Sequence, residues 1–357
     1  MIMSSTHKCI SHVRSFREKR RWSQSELATL AGLSRPEVSA IENGRLVPSA
    51  AGALALARAF SCSVESLFQL TLDGDSAQPQ WAWSPTESPA RVWAARVGGS
   101  TLLYPVENCE LGHIPHDGVW DGRDIDLDPS AEPARTLVIA TCDPAVGLMA
   151  SELARTENVR VIALTRSSTA ALRLLAGGLV HGAGVHLADA RDKQGNLRAA
   201  RAVLGAGFQA IRVAGWQEGL ALRPGGRSRT VRDVVKTTRR WVGREAGSGA
   251  RQCQDATLAG APAPRRVAHD HRGVAEAVRS SWADAGVCLR LVCVQAGLDF
   301  VPVREEPYDL CLPSAFVADA RYAGLLRVLK SKPFRRLLAD LPGYNTSLTG
   351  EVLSPSA

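Results

Sequence analysis

A chain of 357 residues exceeds what one hydrophobic core serves, so two or more folded units are expected. With 45% apolar and 22% charged residues disorder is not indicated, and with no run near the roughly 18 apolar residues of a membrane span no membrane partner is expected. The net charge of +8 suits a polyanion, and nine Lys and Arg against five Asp and Glu up to Leu72 place half of it in the first fifth of the chain.

The start, MIMSSTHKCISHVRSFREKRR, has no apolar core and no small-residue cleavage site, so a cytoplasmic protein is expected. Eight cysteines (Cys9, Cys62, Cys109, Cys142, Cys253, Cys288, Cys293 and Cys311) are scattered without a C-x-x-C pair and are expected as free thiols.

Helical periodicity predicts a first helix over Lys8 to Lys19. Ser23 opens a second with the capping box S-Q-S-E, in which Glu26 reaches back to the cap. Leu27, Ala28, Leu30 and Ala31 are its expected buried face, and Gly32 follows where the chain turns at positive φ. Ser34 opens a third helix with the box S-R-P-E, Pro36 in the first turn and Glu37 closing the box. Val38 and Ile41 face inward, and Asn43-Gly44 ends it. Ser49 caps a fourth helix, AAGALALARAF, and SVESLFQL forms a short fifth.

Two short helices joined by a glycine turn make a helix-turn-helix. The pattern Gln24, Leu27-Ala28, Gly32-Leu33-Ser34, Val38, Ser39, Ile41-Glu42 and Gly44 resembles the λ-repressor/Cro class, or Xre family, over about Ser11 to Leu70. The resemblance implies a five-helix, all-α domain over residues 8–72 that binds double-stranded operator DNA as a homodimer, on half-sites about one helical turn apart. Gln24 is expected on a phosphate, Arg35, Glu37 and Ser39 toward base edges, and Arg45 on a phosphate. Ser34 and Asn43 complete the expected contact set. The local alternatives are that Glu37 only completes its cap and that Arg35 is a solvated charge.

Residues 73–90, DGDSAQPQWAWSPTESPA, read as a linker that Trp81 and Trp83 tack onto a neighbour. Beyond it β-like and helical runs alternate: TLVIA, DPAVGLMASELA, VRVIALT, SSTAALRLLAGG, GAGVHLADA, NLRAARAVLGA and AIRVAGW. Such alternation predicts parallel sheets covered by helices, in two α/β lobes over residues 91–350. Three strand-to-helix junctions carry small polar residues: Thr141, Cys142 and Asp143; Ser167, Ser168 and Thr169; and Gly247, Ser248 and Gly249, flanked by Arg244 and Arg251. Unpaired N–H groups at helix starts bind oxyanions, although Ser, Thr and Asp at such places also serve as plain caps.

The runs GVHLADA, QEGLALRPG, VGREAGSGAR, VAEAVRSSWADAG, LDFVPVREEPYDL and LPGYNTSLTG, in this order over about Thr136 to Gly350, resemble the cytosolic solute-binding-protein-like domain that often follows a helix-turn-helix. The resemblance implies a type II periplasmic-binding-protein-like fold, two lobes around a hinge, similar to proteins that bind molybdate and tungstate. It implies Thr141, Ser167, Ser168 and Ser248 as cleft hydroxyls. The usual R-x-x-G-S-G-T-R is here R-E-A-G-S-G-A-R, so Arg244, Gly247, Ser248, Gly249 and Arg251 match while Ala250 replaces a threonine. Trp282 stands where a small residue is usual, and Cys142-Asp143 where Ser-His-Asp is more common. Asp143 would repel an anion unless it caps its own helix and faces away. The expected effector is an oxyanion, molybdate or tungstate, or a molybdenum-cofactor-related molecule.

No Walker loop, H-E-x-x-H or G-x-S-x-G occurs, so no catalytic residue is assigned. His269 and His271, with Asp270 between them, lack a cysteine pair at zinc spacing, and no metal ligand is assigned. The expected function is a one-component transcriptional regulator, not an enzyme. The alternatives are an enzyme of the molybdopterin or sulfur-transfer type using Cys142, and a dimerisation platform without a ligand.

Overall fold

The computed structural model describes residues 8–71, 79–188, 192, 194–225, 230–259 and 264–353. The chain divides into two compact units, the first comprising residues 1–94, 99–105 and 116–132, the second 95–98, 106–115 and 133–357. Residues 73–78 of the expected linker lie outside the described residues.

The first unit opens with β1 (Lys8–Ser11), followed by helices α1 (Val13–Lys19), α2 (Gln24–Ala31), α3 (Arg35–Glu42), α4 (Ala50–Phe60) and α5 (Val64–Leu67), then β2 (Phe68–Thr71). Both capping boxes form: Ser23 and Ser34 each accept the N–H of the glutamate three residues on, and Glu26 and Glu37 each accept the N–H of their serine. Gly32 stands at φ +64, which a side chain would strain. Val13, Leu27, Val38, Ile41, Leu56, Phe60 and Leu67 form the core.

Three details differ from the expectation. The first helix starts at Val13, because Lys8–Ser11 pairs antiparallel with Phe68–Thr71 and ties the two ends of the domain together. For the same reason SVESLFQL is one helical turn and then a strand. Leu30 is 57% exposed, since it lies about 200° around the helix from Ala28 and misses the stripe of Leu27, Ala28 and Ala31.

The five helices are thus joined by a two-stranded ribbon. The first unit also holds a five-stranded sheet of order β3-β5-β4-β6-β7: β3 (Gln80–Trp81), β4 (Ala90–Val97), β5 (Ser100–Pro105), β6 (Gly118–Trp120) and β7 (Ile125–Leu127). Trp81 packs edge-on against Trp120 at 5.6 Å and Trp83 against Tyr104 at 5.4 Å. This sheet's strands fall mainly in the first unit, whereas the sequence pattern grouped residues 91–135 with the two α/β lobes.

The second unit is built of two similar halves. One runs β8 (Thr136–Thr141), α6 (Val146–Glu157), β9 (Arg160–Thr165), α7 (Ser168–Ala176) and β10 (Gly182–Val185). Then α8 (Gly195–Leu204) leads to the long β11 (Phe208–Leu222), and α9 (Val231–Thr237) to the second half: β12 (Trp241–Arg244), α10 (Gly249–Thr257), β13 (Arg266–Ala268), α11 (His271–Arg279) and β14 (Ala285–Leu289). After α12 (Arg290–Gln295) comes the long β15 (Asp299–Pro313), and α13 (Ala320–Lys330), α14 (Lys332–Ala339), β16 (Tyr344–Asn345) and β17 (Val352–Leu353) close the chain.

The strand order is β13-β12-β14-β11-β15-β10-β8-β9. In each half the first strand lies between the second and third, all parallel, and a 15-residue antiparallel strand comes after the third. The long strands β11 and β15 pair with each other from Phe208↔Pro313 to Leu222↔Asp299, and so run through both lobes as their hinge. Chains that leave the first strand of such a half in opposite senses open a crevice at the strand ends, which is where ligands bind in open α/β sheets. The expected two-lobed α/β fold is present.

Candidate functional site

In the helix-turn-helix, Arg35, Glu37, Asn43 and Arg45 are exposed, and Ser39 is half-buried. Among the described residues no hydrogen bond or ion pair engages the guanidinium of Arg35 or Arg45. Glu37 closes the box on Ser34, accepting from its hydroxyl at 2.7 Å and its N–H at 2.8 Å, and these two bonds, the hydroxyl's first, hold its carboxyl below the usual carboxylate range. Both bonds go to Oε2. Gln24 Nε2 donates to Glu42 at 2.9 Å, and Arg17 Nε donates to the same carboxylate at 2.6 Å. Gln24 is therefore anchored at the start of α2 by α3, an attachment the sequence pattern does not reveal.

In the second unit the ends of β8, β9 and β12 bring the three predicted strand-to-helix junctions together. Thr141 ends β8 and Cys142 follows it, Ser168 starts α7, and Arg244 ends β12; each of these four is buried. The lobes meet closely. Thr169 donates both its N–H, at 3.2 Å, and its hydroxyl, at 2.8 Å, to the carbonyl of Gly247. A Cβ on Gly249 would lie 1.9 Å from the carbonyl oxygen of His186, so only glycine fits there.

Several expected ligand groups are engaged by the protein itself. The Thr141 hydroxyl bonds the Tyr308 hydroxyl and accepts the Asp143 N–H at 3.0 Å. Asp143 accepts from Ala145 N–H at 2.9 Å, in a turn ahead of α6, and from Tyr344 at 2.7 Å; the N-cap of α6 is Ala145, without a side-chain cap bond, so Asp143 does not cap its own helix. Burial, set against the Tyr344 bond, leaves its carboxyl raised above the usual range. Ser168 Oγ accepts the His186 N–H at 3.1 Å. Ser248 caps α10 through the Arg251 N–H at 3.2 Å and donates to the Glu245 carbonyl at 3.0 Å. Ser167 stands at the start of α7 without a side-chain cap bond. Arg251 is drawn off to Asp255 at 2.8 Å, and Trp282 is 66% exposed, so its bulk does not fill the crevice.

At the centre is His186, at the end of β10. Its Nε2 lies 3.1 Å from Cys142 Sγ and its Nδ1 2.7 Å from Glu306 Oε1. Burial alone would pull this imidazole down, but Cys142 and Glu306 on either side outweigh it and hold its pKa well above the ordinary value. Trp216 Nε1 donates to the same Glu306 oxygen at 2.8 Å and stacks on Tyr308 at 4.5 Å. Arg304 lies between two buried carboxylates, reaching Glu218 at 2.9 Å and Glu306 at 2.6 Å, and its one positive charge offsets only one of the two negative ones. Burial and the neighbouring Glu306 push Glu218 up to about 7.

From the other lobe, Arg244 holds Glu245 through Nε at 3.0 Å and points Nη1 at His271 Nδ1, 3.2 Å away. Burial, then Arg244, push His271 well below the ordinary histidine value, and its Nε2 is buried without a hydrogen-bond partner. Cys142, His186 and His271 bring one ligand atom each within 4.8 Å of one another, and so do His186, Glu218 and Glu306. The second trio is claimed by Arg304. Cys142, His186 and Glu306 also stand in the order of nucleophile, base and orienting carboxylate. A cavity of about 320 Å³ opens on the hinge side of the knot beside Trp216 and Glu306, and none of the ten expected ligand residues lines it.

The sequence runs quoted above carry His186, Trp216, Glu218, Arg304, Glu306 and Tyr308, yet none of these residues was assigned from them. A signal was present: Arg304, Glu306 and Tyr308 alternate on one face of a strand, opposite Trp216 and Glu218, with Trp216↔Glu306 and Glu218↔Arg304 as direct cross-strand pairs.

A family profile described as a PBP superfamily domain matches residues 150–330, just over half of the chain. The chain belongs to the PBP superfamily. A second profile, described as helix-turn-helix, matches residues 13–67 of this PBP-superfamily member. The protein YvgK of Bacillus subtilis (strain 168) is 29% identical over 179 residues, which are 47% of this chain, and the match spans 58% of YvgK's own length. Among solved structures, an ABC-type phosphate transport receptor from Vibrio cholerae is similar at 13% identity and TM-score 0.41, over 59% of this chain and 99% of that one. The tungstate ABC transporter structure from Geobacter sulfurreducens is similar at 14% identity and TM-score 0.43, over 57% and 98%.

Proposed function

We propose that the chain is a one-component transcriptional regulator of the cytoplasm. The helix-turn-helix reads double-stranded operator DNA as a homodimer, and the PBP-superfamily unit takes a small anionic effector, molybdate, tungstate or a molybdenum-cofactor-related molecule. What supports this is the union in one chain of a helix-turn-helix with exposed Arg35 and Arg45 and a two-lobed fold whose strand ends converge on one crevice. The effector would act by preferring one arrangement of the lobes, since a ligand that binds both equally shifts nothing. No helix among the described residues is long and apolar enough to cross a membrane.

The test is a thermal-shift screen with molybdate, tungstate, phosphate and sulfate, then operator binding with whichever anion stabilises the chain. An anion at 100 times its dissociation constant should add about 2.7 kcal/mol of stability. A second reading, a dimerisation platform without a ligand, draws support from the hydroxyls of Thr141, Thr169 and Ser248, each engaged by the protein itself. Stabilisation by none of the four anions would favour it.

A further inference from the structure

We propose that Cys142, His186 and His271 form a site for a borderline-soft transition metal of the Zn2+ class, and that this metal clips the two lobes of the second unit together. Cys142 and His186 belong to the lobe of β8 and β10, and His271 opens α11 in the other lobe. One ion held by all three would bridge the crevice.

Four observations carry the assignment. The donor set is one thiolate and two imidazoles, a combination that selects Zn2+-type ions over Mg2+ or Ca2+. The spacing is close to that of a filled site. With Zn–S about 2.3 Å and Zn–N about 2.0–2.1 Å, tetrahedral ligands stand about 3.5 Å apart. Cys142 Sγ and His186 Nε2 are 3.1 Å apart, and all three donor atoms lie within 4.8 Å, so a movement of about 1 Å completes the shell.

Third, the His186 ring is oriented from behind by Glu306 at 2.7 Å from Nδ1, and Glu306 is fixed in turn by Trp216 and Arg304. A carboxylate on the far nitrogen of a ligating histidine sets its tautomer and raises its basicity. Fourth, His271 is 2% exposed, yet its Nε2 has no hydrogen-bond partner, an expensive arrangement in a protein interior.

Arg244 is the group the metal must displace. With Nη1 donating to His271 Nδ1, the ring carries its hydrogen on Nε2. Coordination at Nε2 moves that hydrogen to Nδ1, and Arg244 then swings onto Glu245, which already accepts from its Nε and Nη2 at 3.0 and 3.2 Å. Three protein ligands leave a fourth position for water or an anion.

The untagged full-length chain, freed of metal with a chelator, is titrated with Co2+ as a spectroscopic substitute for Zn2+. The expected result is a thiolate-to-cobalt charge-transfer band that saturates at one ion per chain and is bleached by Zn2+. Cys142→Ser abolishes the band, and Glu306→Gln weakens binding roughly 10- to 100-fold through the ring it orients. No band in the wild type, or a band that survives Cys142→Ser, overturns the proposal. Should Cys142→Ser not fold, X-ray absorption of the Zn2+-loaded wild type decides. One sulfur at about 2.3 Å with nitrogens at about 2.0–2.1 Å supports the site, and a shell of two sulfurs or none overturns it. Neither readout involves DNA or an oxyanion, so failure here leaves the regulator reading untouched.

Discussion

Two carboxylates, Glu218 and Glu306, lie fully buried against the guanidinium of Arg304, which shares itself between them at 2.9 and 2.6 Å. Removing one partner of a buried ion pair strands the other's charge, so Arg304→Met should destabilise the second unit by about 3–5 kcal/mol in denaturant unfolding. A loss below about 1 kcal/mol would mean that the carboxylates are protonated or solvated and that the knot is not held by charge.

His181 makes a separate prediction. Burial, then Arg321, depress its pKa from 6.5 to about 4, while its Nδ1 accepts the Val138 N–H at 2.9 Å. A base with a depressed folded pKa contributes stability above its unfolded value of 6.5 and loses it as pH falls through 4. Between pH 7 and pH 4.5 this histidine should remove about 2.5 kcal/mol, so the His181→Asn variant should show a correspondingly shallower acid slope. Equal slopes in the two proteins would refute the assignment.

Residue-level legibility depended on range. Capping serines at 23, 34 and 49 were readable because their partners are three residues away. The His186–Glu306 bond spans 120 residues, and nothing local marks it.

At the scale of elements, the strand-to-helix junctions were legible because β-α alternation and small polar residues are local signals, and the fold brought Thr141, Cys142, Ser168 and Arg244 to one crevice. The close approach of the lobes left no such local mark. Gly247 and Gly249 were expected at a helix start that binds an oxyanion, and their structural contribution is to let α10's start meet Thr169 and His186. Gly249→Ala should therefore force the lobes apart or overpack them, at a loss of about 1–3 kcal/mol and with a shift of Trp216 fluorescence. An unchanged spectrum and stability would show that the closed contact is not kept in solution.

The ribbon of β1 and β2 was missed for a similar reason, since its strands come from opposite ends of the domain. In α3 the prediction concerns DNA. Arg35→Ala should lose about 1–3 kcal/mol of discrimination between operator and random duplex while keeping salt-sensitive binding to both. Retained operator preference would place base reading on another element.

At the scale of the whole molecule, the claim is that one chain couples a DNA-reading helix to a crevice that takes a small charged ligand. Coupling is a free energy between two sites, and it must be reciprocal. The direct measurement is the affinity of the full-length chain for a duplex selected from a random pool, read by fluorescence anisotropy at constant ionic strength, with and without the anion that raises its melting temperature most. Kd should change at least about fivefold, equivalent to about 1 kcal/mol, with an equal change in the anion's own affinity when operator is present. An anion that stabilises the protein yet leaves the operator Kd unchanged would contradict this coupling.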